Sequence, residues 1–384
     1  MKENTSVLRS DYIIDGIRRD ATPKAMLDLA CERESGTCAE EFEKIVDESV
    51  DPTPFAEEFE PGRADEYLEA IRTMGPKGVP FCYSASYTNG KIAGALLDAL
   101  WQAGHFRLGD LAVSALWKWN DKAIGSMAAF YDSVESACDY LEGLGVMMKD
   151  YSVQDCETMA LEVSVSLSDQ PQVSEFENIE DEEDFFAELP FQTEHPTLRH
   201  TRKCPQIAKA DPKDWVIYIP FDTGSLLLGG SALSQATGKP CGKAPAIDAA
   251  DYFIDCYEVV RELVEDGIVR AGVSVGEGGM MTALRKLIPE GMGMNVEVGG
   301  IMKSYGEGDL SRILFSEVPG AIIVISDDDY DYVDAELLLQ DVAYYPLGHI
   351  SGNTEGIKTS VSDNSDITEI LQSLLSGQVS EGED

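Results

Sequence analysis

Apolar residues follow strand-type and helix-type patterns in alternation along the second half of the chain, and this alternation constrains the fold most. Asp214–Pro220 is a short apolar run typical of a buried strand. A helix is predicted over about 247–266, where Gly267 ends it, and strand-type runs follow at 294–298 and 321–326. Because strands that alternate with helices form sheets covered by those helices, the sequence predicts an α/β fold of the α+β sandwich type.

The first half contains longer helical patterns. Helices are predicted over 64–74, where Gly75 ends the pattern, over 90–102 and over 126–144. Apolar residues then alternate with Glu and Ser over 161–167, which is typical of a half-buried strand. We therefore expect helices packed on a sheet in this half as well.

The 384 residues are enough for two or three domains. Residues 1–60 are interpreted as an appended region, in which Thr22-Pro23 has the residue types of a helix start. An N-terminal domain is predicted over 61–190, ending in an acidic linker, and a C-terminal domain over 205–350. Residues 351–384 are predicted to form a tail with one amphipathic helix.

The chain is strongly acidic, with 70 Asp and Glu against 29 Lys and Arg, and its formal net charge is −41. Such a charge repels nucleic-acid phosphate and anionic lipid, so neither a nucleic-acid partner nor a membrane is expected. The most acidic stretch, Ser174–Phe186, is interpreted as a solvated linker or, alternatively, as a partner-binding strip. With no apolar run long enough to span a bilayer and no leader-like start, the expected location is the cytoplasm.

Two glycine turns, each before a predicted helix, are the candidate binding elements. The first is Gly229-Gly230-Ser231. The second is Gly276–Gly279, in which Gly278 and Gly279 are the candidate residues. Backbone N–H groups at such turns can bind phosphate, although a plain tight turn is the more frequent explanation. Neither turn matches the P-loop or the dinucleotide fingerprint.

Other candidate chemistry is weak. Asp327–Asp329 follows a predicted strand and is interpreted as a helix N-cap with first-turn acids, rather than as a metal site. His195, His200 and Cys204 lie close together, but a zinc site would need a further ligand from far away. With four histidines in the chain, no histidine-based triad is predicted by spacing, and we assign no catalytic residue.

Several short motifs, taken in order, resemble one family. They cover about 80–350 and comprise Cys82-Tyr83 with Gly90–Ala93, Leu228–Leu233, Gly276–Leu284 and Leu314–Glu317. They are similar to motifs of the aminoimidazole ribonucleotide synthase superfamily and, within it, of phosphoribosylformylglycinamidine synthase. That family converts formylglycinamide ribonucleotide to the amidine in purine synthesis, using ATP, Mg²⁺ and ammonia.

The resemblance implies a two-domain unit with an N-terminal mixed sheet that dimerises and a C-terminal α/β sandwich. It implies ATP and Mg²⁺ as cofactors, a nucleotide ligand, and a partner that is a second copy or a homologous synthase subunit bound through the N-terminal sheet. It also implies Glu317 as a metal ligand. The cofactor-binding residues that it implies are Lys91, Gly229, Gly230, Ser231, Gly278 and Gly279.

The chain departs from the family where polar groups are expected. Leu96 and Leu100 stand where a carboxylate and an Asn should face the metal, and apolar side chains cannot ligate Mg²⁺. Other departures are found at Ser114, Trp117 and 273–274, and around 147–150, where other residues replace the glycine-rich loop of the family.

Three hypotheses follow from the resemblance and its departures. The first is a catalytically degenerate relative that acts as a structural or regulatory subunit. The second is an active ATP- and Mg²⁺-dependent ligase of the purine pathway. The third is a nucleotide-sensing module that binds without turnover.

Overall fold

The computed structural model describes residues 5–33, 59–75, 77–168, 203–209, 211–239, 241–352 and 356–361. Within them the predicted α/β class is confirmed, since helices pack on a three-stranded and a six-stranded sheet. No helix of these residues is long and apolar enough to cross a membrane. The acidic stretch at 174–186, His195, His200 and the predicted tail helix lie outside the described residues.

The N-terminal region contains the predicted short helix, and it packs on the core. Its elements are α1 (Thr5–Arg9), β1 (Ile13–Ile14), β2 (Ile17–Arg18) and α2 (Pro23–Glu32). The side chain of Thr22 accepts a hydrogen bond from the backbone N–H of Ala25 at 3.3 Å, as expected of an N-cap. Val7 and Leu27 are fully buried in the same apolar cluster as the following elements.

The next part of the chain builds the three-stranded sheet and its helices. Its elements are α3 (Ala64–Met74), α4 (Ser84–Gln102), β3 (Leu111–Trp119), α5 (Ser126–Gly143), β4 (Met147–Asp155) and β5 (Ala160–Leu167). The central strand β3 is parallel to β4 and antiparallel to β5, so the predicted mixed sheet is confirmed. Trp117 and Trp119 of β3 pack edge-on against Phe130 of α5.

One sequence-based prediction in this part was wrong. Helix α4 begins at Ser84, six residues before the predicted start at Gly90. The first turns were missed because they bury polar side chains, such as Thr88, whose hydroxyl is hydrogen-bonded to Ser84 O and Ser133 Oγ. The residues at 147–150, where the glycine-rich loop of the family is replaced, begin strand β4, which is stabilised by its pairing with β3.

The C-terminal part forms the six-stranded sheet, with strand order β11-β8-β10-β6-β9-β7. Its strands are β6 (Trp215–Pro220), β7 (Ala271–Val275), β8 (Gly293–Glu297), β9 (Gly320–Ile325), β10 (Tyr345–Ser351) and β11 (Ile357–Ser360). Strand β6 is antiparallel to both its neighbours, β10 and β9, and every residue of β9 is buried. Strand β11 pairs in parallel with β8, so residues beyond the predicted limit at 350 contribute to this sheet.

The helices of this part are α6 (Ala232–Thr237), α7 (Ala250–Glu265), α8 (Gly279–Leu287), α9 (Gly299–Tyr305), α10 (Leu310–Phe315) and α11 (Tyr330–Leu339). Helices α7 and α8 were predicted, whereas α6, α9 and α10 were not. Each of these three has six or seven residues, which is too short for a helical period to emerge. Asp327–Asp329 forms a 3₁₀ turn before α11, and Ser326 caps this turn by accepting from Asp328 N. Asp329 is the N-cap residue of α11, without a hydrogen bond from its side chain to the helix.

Helix α4 joins the two sheets. The Trp101 ring lies against Gly272 of β7, where an added Cβ would come within 2.4 Å of the ring. Its indole N–H donates to Ser274 Oγ at 3.0 Å, and Ser274 in turn donates to Asp98 Oδ1 at 2.8 Å. Asp98 therefore points away from the position at which a metal-binding carboxylate was expected.

We expect Gly272→Ala to lower the free energy of unfolding by about 1–3 kcal/mol, the usual cost of overpacking a filled core. The matched control is Gly276→Ala, because an added Cβ there meets nothing within 4 Å. Urea unfolding of both variants checks this. Equal stability of the two would show that Trp101 moves aside at little cost.

Candidate functional site

The candidate site is a small cleft between the start of α4 and the glycine turns of the C-terminal part. Its enclosed space is about 50 Å³, which accommodates only a few water molecules. Of the predicted site residues, the cleft brings together Lys91, Gly229, Gly230, Ser231 and Glu317. Gly278 and Gly279 do not line the cleft, but the backbone N–H of Gly278 donates to Glu317.

Glu317, between α10 and β9, has both carboxylate oxygens engaged. Oε1 accepts the backbone N–H groups of Ala232 at 2.7 Å and of Gly278 at 2.9 Å, and Oε2 accepts from Lys77 Nζ. The Lys77 and Glu317 side chains are 5% and 13% exposed, so the pair is buried. The prediction that Glu317 binds Mg²⁺ remains a prediction, but a metal would have to displace these donors.

Lys77 was missed by the sequence analysis, and it completes a cluster around one aromatic ring. Its Nζ lies 5.1 Å from the centroid of the Tyr87 ring, and Lys91 Nζ lies 5.5 Å from the same centroid. Lys91 also pairs with Glu277 at 2.7 Å, and these two side chains are 33% and 36% exposed. The only sequence signal for Lys77 was a lysine in a Gly- and Pro-rich turn, which is no sign of burial.

The pKa values in this cluster follow from burial and charge. Burial lowers the pKa of Lys91, but the neighbouring Tyr87 and Glu277 outweigh it, so that the pKa is raised overall. Burial raises the pKa of the Tyr87 hydroxyl. Lys91 is therefore a cation that is paired with Glu277.

The glycines are required by packing, whether or not a phosphate binds. Gly230 has φ +68°, and an added Cβ would lie 2.8 Å from the Tyr83 ring. Gly279 has φ +67°, and an added Cβ would lie 2.6 Å from the backbone of Phe315. Ser231 is the N-cap of α6, and its side chain accepts from Ser234 N at 3.2 Å. These observations fit tight turns, and a bulky substitution at either glycine would disturb the fold itself.

Sequence comparisons point to the same family as the motifs. The probable phosphoribosylformylglycinamidine synthase of Arabidopsis thaliana is 29% identical over 157 residues, which is 38% of this chain and 11% of that protein. The Homo sapiens phosphoribosylformylglycinamidine synthase is 24% identical over 223 residues, or 58% of this chain and 15% of that protein. The PurL subunit of Methanocaldococcus jannaschii is 31% identical over 133 residues, or 34% of this chain and 17% of that subunit. Over part of its length, the chain is therefore similar in sequence to the phosphoribosylformylglycinamidine synthases.

The match is partial in length. The chain spans less than a fifth of these relatives, and no protein-family model matches it. The solved structure of phosphoribosylformylglycinamidine synthase II from Thermotoga maritima overlaps 76% of this chain and 41% of its own, with 14% identity and a TM-score of 0.47.

The departures from the synthase motifs are packed into the core. Leu96 and Leu100 of α4 are fully buried in the apolar cluster of the N-terminal part. The Trp117 indole N–H donates to Ser133 Oγ at 2.9 Å inside that core. Among the described residues, no group of three or more His, Cys, Asp or Glu could hold a metal ion. The apolar side chains of Leu96 and Leu100, at the positions expected for metal ligands, therefore do not fit Mg²⁺.

We expect Lys77→Met to lower the free energy of unfolding by about 3–5 kcal/mol, because it leaves the buried Glu317 carboxylate without its cation. Lys91→Met is the matched control and should cost about 0–1 kcal/mol, since the Lys91–Glu277 pair is one-third exposed. Urea unfolding at neutral pH measures both values. Similar costs for the two variants would contradict the structural role of Lys77.

Proposed function

We propose that this relative of the phosphoribosylformylglycinamidine synthases is non-catalytic and acts as a structural or regulatory subunit in purine synthesis. One observation carries the proposal: both cleft lysines are paired with the chain's own glutamates, Lys77 with Glu317 and Lys91 with Glu277. An anionic substrate needs an unneutralised positive site, above all in a chain whose net charge is −41. The cleft contributes two cations and two carboxylates, which cancel.

The metal and the turn N–H groups support the same proposal. ATP chemistry in such enzymes depends on Mg²⁺, a hard cation that needs oxygen ligands. The positions where the resemblance expects those ligands are the buried side chains of Leu96 and Leu100. The N–H groups of Ala232 and Gly278, at the two turns predicted to bind phosphate, donate to Glu317 instead.

Purified chain incubated with formylglycinamide ribonucleotide, ATP, Mg²⁺ and high ammonium should release no substrate-dependent ADP. ATP and formylglycinamide ribonucleotide (FGAR) are the probes of choice because PurL of T. maritima has been solved in complex with ATP and with FGAR. Circular dichroism establishes that the sample is folded, and an authentic phosphoribosylformylglycinamidine synthase serves as the positive control.

The comparison variant is Lys91→Met, which removes a cleft cation at little cost to stability. ADP release by the wild-type chain that Lys91→Met abolishes would make the chain an active ligase and overturn the proposal. Calorimetric ATP binding without ADP release would favour the nucleotide-sensing alternative.

A structural subunit needs a partner, and we propose that a second copy or a homologous synthase subunit binds through the three-stranded sheet. One face of that sheet is covered by α4 and α5. On the other face Glu162, Ser164 and Ser166 of β5 are exposed, and Leu116 of β3 is half-buried. Because Ser164 and Ser166 are small, this part of the face leaves room for a second sheet to approach.

Ser164→Arg should weaken this association at least tenfold, because it places a long charged side chain on the open face. Thr359→Arg on the exposed strand β11 is the control and should leave association unchanged. Sedimentation velocity over a concentration series, of the chain alone and mixed with a synthase subunit, measures both. Association that is insensitive to Ser164→Arg would place the interface elsewhere.

A further inference from the structure

We infer that Glu317 is an internal substitute for a bound oxyanion. Its carboxylate fills an anion site formed by Lys77 and by the backbone N–H groups of Ala232 and Gly278. This inference rests on the proposed non-catalytic function, since an anion supplied by the chain itself leaves no place for one supplied by a substrate. Its ligand class is a small oxyanion, either a carboxylate or a phosphate.

The donors to this carboxylate come from three separate segments. Ala232 N–H lies at the start of α6, Gly278 N–H lies in the turn before α8, and the Lys77 ammonium comes from the turn before α4. Two neutral N–H groups converge on Oε1, at 2.7 and 2.9 Å, and the cation binds Oε2. Such a set of backbone donors with one cation is typical of oxyanion recognition.

The backbone donors distinguish an anion site from an ordinary ion pair. An ion pair requires only the opposite charge, as where Lys91 meets Glu277 at the rim of the cleft. At Glu317, two donors belong to the backbone, so a substitution at position 317 does not remove them. The site should therefore outlast the side chain that fills it.

The burial of the site explains why a missing anion would matter. Lys77 is 5% exposed, so its ammonium cannot turn to water when the carboxylate is removed. Without an anion the variant holds a buried cation and two unsatisfied N–H groups, each of which favours the unfolded state. A free oxyanion that enters the vacated space satisfies all three groups and stabilises the folded state by mass action.

The test is anion rescue of Glu317→Ala. Its melting temperature is measured in sodium phosphate, sodium acetate and sodium chloride at equal ionic strength and pH. We expect the variant to melt below wild type in chloride, and phosphate or acetate to restore at least half of the difference with saturating dependence on concentration. Rescue by acetate alone would identify a carboxylate-sized site, and rescue by phosphate would identify one that admits a tetrahedral anion; either supports the inference.

Two controls separate this site from general salt effects. Glu317→Gln keeps the space filled, and Glu277→Ala removes a glutamate from the exposed pair, so neither should respond to phosphate or acetate beyond the wild-type response. Equal melting of Glu317→Ala in all three salts overturns the inference. If that variant does not fold in chloride, the yield of folded protein on refolding into each salt replaces the melting temperature, and equal yields overturn it in the same way.

The outcome is independent of the assay for the proposed function. ADP release is measured on the wild-type chain, in which Glu317 is present, whereas rescue is measured on a variant without substrates. A wild-type chain that turns over ATP would overturn the non-catalytic proposal, and with it the inference that Glu317 leaves no place for a substrate anion. A variant that no oxyanion rescues would overturn the assignment of Glu317 alone.

Discussion

The buried ion pair between Lys77 and Glu317 is the interaction on which the arrangement of the cleft depends. It connects the turn before α4 with the segment between α10 and β9, and through Glu317 it also reaches the turns before α6 and α8. A buried pair of this kind adds little net stability, because desolvation offsets the attraction of the charges. Its contribution is geometric, since any other placement of these segments would leave a buried charge alone.

The glycine turns show what sequence reasoning could and could not establish. The turn before α8 was predicted correctly, and Gly279 is the first residue of that helix, whereas the short helix α6, which Ser231 caps, was not predicted. Why glycine is required at these turns could not be predicted. The sequence does not distinguish a glycine needed for close packing against a ring or a neighbouring backbone from one needed to approach a phosphate. Only the atoms around Gly230 and Gly279 distinguish these cases.

The elements that sequence missed are those that depend on partners distant in the chain. Strand β4 is half exposed and carries Lys149 and Asp150, so it shows little apolar alternation, and its pairing with β3 stabilises it. Lysine is usually an exposed residue type, so nothing in the sequence indicated that Lys77 is buried. It is buried because Glu317, 240 residues further on, supplies the opposite charge. The long helices α5 and α7 were predictable, since their periodic apolar faces are local.

The same distinction bears on the proposed non-catalytic function. A catalytic site stabilises charge that develops during reaction, so its cations must be available to the substrate. Here the cations of the cleft are already neutralised, and buried leucines occupy the positions expected for metal ligands. Both features stabilise the folded chain in the absence of a ligand. The leucines are buried in the core, and the Glu317 carboxylate accepts hydrogen bonds from two backbone N–H groups. Under the proposed function this favours partner binding, because a surface that is ordered in the free chain loses less conformational entropy on association.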